Sequence, residues 1–173
     1  SRDGGASFQR LNIPEPDGVV RANFAMRVIR IAVAAHDAND ILVAFEIGGL
    51  VASRDGGESW QSCNKDLLEL SQQDHLRSAI VSDQKTEGMM DSHALAMSPN
   101  HPGSVWLANR MGLFRSDDGG GHWQYAWKGI TPRYSRPMCI DPNAPHGLTV
   151  ASAPTAFSCY KDEGGAQAML LRS

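Results

Sequence analysis

An octet that occurs three times sets the strongest limit on how this chain folds. Ser53-Arg54-Asp55-Gly56-Gly57-Glu58-Ser59-Trp60 is echoed by Ser116-Asp117-Asp118-Gly119-Gly120-Gly121-His122-Trp123 and by Ser1-Arg2-Asp3-Gly4-Gly5-Ala6-Ser7-Phe8, all of the form S-x-D-x-G-x-x-[WF]. Such an octet reads as a hairpin turn. The Asp side chain accepts from nearby backbone N–H groups, the glycines supply positive φ, and the closing aromatic anchors the turn in apolar packing. Ser1, Asp3, Gly5 and Phe8 are therefore assigned structural roles, as are Ser53, Asp55, Gly57 and Trp60, and Ser116, Asp118, Gly120 and Trp123.

The likeness continues outside the octets. Residues 31–41 align without gaps on 95–105 and on 138–148, each a strand, a polar turn rich in Pro, Asn or Gly, and the start of another strand. Second strands follow at 41–45, 105–108 and 148–152, then short apolar strands at 49–52 and 112–115 that lead into the octets, then fourth strands at 60–63 and 123–127. Four antiparallel strands per repeat form a β-propeller blade, so the expected fold is all-β, with about three blades in one domain, residues 1–173. The repeats run approximately 1–52, 53–115 and 116–173. Residues 168–173 match 111–116, so Ser173 stands where another octet would open. Closed propellers have about four to eight blades. The expectation is a piece of a larger propeller of six to eight blades, whose unmatched edges make it unstable or self-associating alone.

These octets resemble the Asp-box, or bacterial neuraminidase repeat, found in sialidases, other glycoside hydrolases, receptor domains and assembly factors. The resemblance implies that the octets lie on the outer turns of the blades, away from the axial face where ligands bind. It also poses the question of sialidase chemistry, which uses an arginine triad, a Tyr and Glu pair and an Asp acid. The chain has Asn12-Ile13-Pro14 where sialidases carry Arg-Ile-Pro, and no arginine matches the triad, so no sialidase site is carried over.

Lys plus Arg number 16 against 19 Asp plus Glu, a formal charge of −3, which gives no support to a broadly basic nucleic-acid surface. No apolar run reaches the roughly 18 to 20 residues of a membrane helix, so no membrane insertion is expected. Three cysteines, Cys63, Cys139 and Cys159, form no CxxC pair and leave the compartment open. Neither a cofactor nor a metal is assigned. His75, Asp91 and His93 are ligand types, but they come from distant loops.

A ligand site is expected where loops between second and third strands meet the entrances of the first strands. Glu46 and Arg110 occupy equivalent turns in consecutive repeats. The alignment also superposes Arg27, Asp91 and Tyr134, and two residues on, Ile29, His93 and Arg136; a separation of two puts both members of a pair on one strand face. Two readings are open here. In one, Arg27 pairs with Asp91 between repeats and His93 is a hydrogen-bonded core residue. In the other, Glu46, Asp91, His93, Arg110, Tyr134 and Arg136 form a ligand pocket, beside which lies a 15-residue excursion, 153–167. The connection 64–90, with a helical turn near 66–70, is placed to cap it.

Trp106 and Trp127 are read as packing blades rather than stacking on sugars, and Trp123 as the octet's anchor. The resulting function is a scaffold for a small-molecule or glycan ligand, partnered by the remaining blades of its propeller. The alternative is a glycoside hydrolase, with Glu46 and Asp91 as its only nominated carboxylates and its site completed elsewhere.

Overall fold

The computed structural model describes residues 3–126, 128–143, 147–155 and 163–173. Three consecutive antiparallel sheets hold the strands. The first contains β1 (Val28–Ala34), β2 (Asp37–Phe45), β3 (Gly49–Ser53) and β4 (Gln61–Ser62), in the order β1-β2-β3-β4. The second repeats that order with β5 (Ser92–Met97), β6 (Val105–Asn109), β7 (Gly112–Ser116) and β8 (Gln124–Tyr125). In the third, β9 (Tyr134–Ile140), β10 (Leu148–Ala153) and β11 (Met169–Arg172) pair in the order β9-β10-β11. These are β-propeller blades, the third with three strands among the described residues.

Both octets between third and fourth strands close with the same bonds. Ser59 N donates to Asp55 Oδ1 at 2.9 Å and Gly57 N to Ser53 Oγ at 2.8 Å. In the second octet His122 N donates to Asp118 Oδ1 at 2.9 Å and Gly120 N to Ser116 Oγ at 2.8 Å. The paired glycines need left-handed backbone, with φ of 76° and 97° at Gly56 and Gly57 and 75° and 97° at Gly119 and Gly120. In the N-terminal octet Ser7 N donates to Asp3 Oδ1 at 3.2 Å. Ser1, expected to open that octet, lies outside the described residues.

Some boundaries differ from the expected ones. The fourth strands have two residues each, because only Val51 and Ala52, or Phe114 and Arg115, face a partner after the octet. The first turn tightens to Ala35-His36, with Ala34 pairing Asp37, so β2 begins inside the stretch read as a loop. Ladder register confirms the alignment of the entrances: Val28 faces Phe45, Ser92 faces Asn109 and Ser135 faces Ser152. A bulge follows each of these pairs, re-aiming the side chain next to it.

Between the first two sheets lies the largest apolar cluster, with Leu42, Leu50, Leu67, Leu107, Phe114 and Trp123 all buried. The connection between these sheets contributes α1 (Lys65–Leu70), a 3-10 turn (Asp74–Leu76) and α2 (Glu87–Met90). Leu67, Leu76, Met89 and Met90 from these pieces join the same cluster. A smaller cluster of Ala94, Trp106, Ala108, Leu113 and Leu148 links the second and third sheets. No described helix is long and apolar enough to cross a membrane.

Candidate functional site

At the start of β5 the chain turns out of α2, and this turn gathers most of the ionisable residues singled out by the repeat alignment. Glu87 on α2 is fully buried, yet ionised. Its carboxylate accepts from the backbone N–H groups of Ile80 at 3.0 Å, Val81 at 3.1 Å and Ser82 at 2.8 Å, and from Arg110 at 2.7 Å. Burial pushes its pKa up, but Arg110, the N–H groups and the Ser82 hydroxyl outweigh that and hold it at about 2.

Arg110, in the turn between β6 and β7, also donates to Asp91 Oδ2 through Nε at 3.1 Å and through a terminal nitrogen at 2.7 Å. Asp91 Oδ2 lies 3.3 Å from His93 Nε2, whose other ring nitrogen lies 2.6 Å from the Ser135 carbonyl in the third sheet. The Asp91 carboxyl sits below the ordinary range because His93 and Arg110 overcome the effect of its burial. The Tyr134 ring meets His93 edge-on at 4.9 Å. Arg136 Nε donates to the Tyr134 hydroxyl at 2.7 Å, and its guanidinium lies 5.2 Å from that ring's centre.

Five of the six expected pocket residues, Asp91, His93, Arg110, Tyr134 and Arg136, are thus linked in one network. Glu46 is engaged in another pair. It accepts from Arg27 Nε at 2.9 Å, and its own N–H bonds the Arg27 carbonyl, because both end the β1–β2 ladder. Arg27 therefore pairs within its own sheet rather than with Asp91. Asp91 and Arg110 hold the equivalent positions in the second sheet, so this bridge recurs with its signs reversed. His93 is a buried, hydrogen-bonded residue and also joins the acidic network.

Beside the network opens a cavity of about 280 Å³. Arg77, Arg110, Arg133 and Tyr134 line it, with Pro154 and Thr155 from the start of the excursion, and no carboxylate does so among the described residues. The middle of the excursion, 156–162, lies outside the described residues, as does Trp127. Arg77 comes from the connecting segment, where it donates to Asp74 at 2.9 Å and to the Ser71 and Gln72 carbonyls. Arg133 donates to the His75 carbonyl. Repeat comparison picked out neither Arg77 nor Arg133, because one has no counterpart in the other repeats and the other precedes the aligned pair. The run Arg133-Tyr134-Ser135-Arg136 was the available signal for the second.

Ordered groups of three or more metal-ligand side chains are absent among the described residues, and His75 packs at 6.1 Å from Tyr125 instead. The octet carboxylates are occupied by their turns. Asp55 is held far below the ordinary range, first by the Ser59 hydroxyl; Asp118 is lowered to about 2, with His122 chief among the groups that overcome its desolvation.

The sequence matches no protein-family model and no curated protein. Solved structures do resemble the fold. An ancestral GH74 enzyme superposes with a TM-score of 0.55 at 17% identity, over 82% of this chain and 19% of that one. A GH74 enzyme of Niastella koreensis gives 0.46 at 18% identity, over 73% and 19% of the two chains. YCF48 bound to D1 peptide gives 0.49 at 18% identity, over 86% and 39%. All are β-propeller proteins, and the first match places this chain in that fold class. The chain spans about a fifth of the length of the GH74 enzymes.

Proposed function

We propose that this chain is a three-repeat section of an Asp-box propeller that binds, without chemistry, a ligand carrying a carboxylate, sulfate or phosphate group. The observation that supports this reading is the cavity wall, where three guanidinium groups and a phenol stand with no carboxylate among the described residues. Arg133, held by the His75 carbonyl, gives the wall positive character, while Arg77 is paired with the exposed Asp74 and Arg110 is neutralised by Glu87 and Asp91 and serves to shape the wall. Planar guanidinium donors suit an oxyanion, and the Tyr134 hydroxyl suits a sugar hydroxyl or a backbone group on the same ligand. A hydrolytic reading requires a carboxyl with raised pKa facing a second carboxylate. Asp91 and Glu87 are both lowered, and Glu46 is bound to Arg27, which favours binding over catalysis.

Titration calorimetry with glucuronate, sulfated and phosphorylated sugars, and their neutral parents tests this reading. Arg133→Ala and Arg77→Ala are each expected to weaken an acidic ligand by about tenfold or more, as loss of a charge-assisted bond does. Equal binding of neutral and acidic sugars, or binding indifferent to both substitutions, rejects it.

A further inference from the structure

The loop between the 3-10 turn and α2 is fixed at its backbone while it shows apolar side chains to solvent. Ser78 N donates to the Lys85 carbonyl at 2.9 Å, and the Ser78 carbonyl accepts from Gly88 N at 2.9 Å. The N–H groups of Ile80, Val81 and Ser82 all end on the buried Glu87 carboxylate. At Gly88 a Cβ would lie 2.7 Å from Ser78 Cβ and 2.6 Å from Met111 Sδ, so the loop, α2 and the β6–β7 turn pack together with no room for a side chain there. Ile80 and Val81 are nevertheless 40% and 46% exposed. Ile80 lines the 280 Å³ cavity together with Met111 and Pro154. With the backbone tied at these points, the apolar surface that Ile80 offers is a fixed part of the wall.

The polar part of the same wall is biased towards donors. Guanidinium groups donate and cannot accept. The Tyr134 hydroxyl already accepts from Arg136 Nε at 2.7 Å and from a second nitrogen of that guanidinium, which leaves its own O–H to donate. Of the described side chains on the wall, only the hydroxyls of Ser78 and Thr155 remain as oxygen acceptors. An ammonium group or a ring of sugar hydroxyls would bring in more donors than such a wall can pair, and an unpaired buried donor is costly. The charge is set as narrowly. Arg77 is committed to Asp74 and to the Ser71 and Gln72 carbonyls, and Arg110 faces Glu87 and Asp91. Arg133 donates to the His75 carbonyl and pairs with no described carboxylate. One guanidinium without a counter-ion matches a monoanion.

We propose that this cavity binds a small carboxylic acid with an apolar body and no amino group, an arylalkyl or branched-chain acid, whose carboxylate meets Arg133 while its body lies against Ile80, Met111 and Pro154. The inference rests on the anion-binding reading above and narrows it from any oxyanion ligand to this class. Size agrees with it: a cavity of about 150 Å³ accepts benzene, so one of about 280 Å³ holds a ring with a short acid chain. Ile80 then sets specificity. Covering its exposed surface favours an apolar body through the hydrophobic effect, whereas a sugar acid would set hydroxyls against it.

Titration calorimetry compares phenylpropionate with phenylpropionamide, phenylalanine, glucuronate and the peptide acetyl-Ala-Phe, on the protein and on its Arg133→Ala, Ile80→Ser and Ile80→Val variants. Phenylpropionate is expected to bind about tenfold or more tightly than each of the others. Arg133→Ala is expected to remove its advantage over the amide. Ile80→Ser is expected to weaken phenylpropionate about fivefold or more with an unchanged melt, while Ile80→Val, which keeps the wall apolar, stays within about twofold of the parent. Glucuronate binding as tightly as phenylpropionate, with both dependent on Arg133, overturns the apolar-body inference and leaves the anion-binding reading standing. Tighter binding of the peptide overturns the small-acid assignment in favour of a polypeptide C-terminus. Equal binding of acid and amide, indifferent to Arg133→Ala, overturns this inference and the anion-binding reading together.

Discussion

Glu87 is the acid on which the second sheet's entrance depends. With its carboxyl held at about 2 against an ordinary 4.5, it favours the folded state above pH 4.5, and that contribution is lost as pH falls from 4.5 towards 2. Acid unfolding followed by fluorescence is therefore expected to steepen in that window, and Glu87→Gln to flatten the curve there. The same substitution leaves Arg110 with one carboxylate instead of two, and breaking a buried pair of this kind costs about 3 kcal/mol. A melt at pH 7 checks the second effect. The repeat alignment made Asp91, His93, Arg110, Tyr134 and Arg136 legible as neighbours, since residues at one level of successive blades face the same region. Glu87 was visible only as one of several polar residues in a connection without a counterpart, and no period predicts which of them turns inward.

Among the elements, the octet hairpins carry their own stabilisation. Asp55 and Asp118 each hold a backbone N–H and a side chain four residues on, at 2.5 to 2.9 Å. Replacing either with Ala leaves turn donors without acceptors and is expected to cost about 1 to 3 kcal/mol in denaturant melts. Binding of an acidic ligand by the folded remainder is expected to stay unchanged. A loss of binding with an unchanged melt would assign these carboxylates to the ligand instead. Hairpins of this kind are readable from sequence because glycine alone meets two successive φ values near 75° and 97° cheaply. The lengths of β4 and β8 were not readable, because pairing there stops where the neighbouring strand stops rather than where apolar residues end.

Across the whole molecule the apolar clusters that join successive sheets are unequal. The first two sheets share a cluster that also takes in both helices, whereas the third is joined through a smaller one and borders a cavity of about 340 Å³. Stacked repeats owe much of their stability to such interfaces. Hydrogen exchange is expected to protect amides of β2 and β6 most and to open β9, β10 and β11 first; equal protection in all three sheets would show a single cooperative unit. One feature of the stack bears on how such a molecule diversifies. The bridge between a first-strand entrance and its facing turn runs from Arg27 to Glu46 in one sheet and from Asp91 to Arg110 in the next, and both members always belong to the same sheet. In the first sheet its polarity can therefore be inverted by two exchanges inside a single repeat, whereas in the second Arg110 is also held by the buried Glu87 and Asp91 by His93. Such an inversion moves the guanidinium from the strand entrance to the facing turn at constant net charge, so lineages built from such units have a short mutational route for relocating a donor on that face.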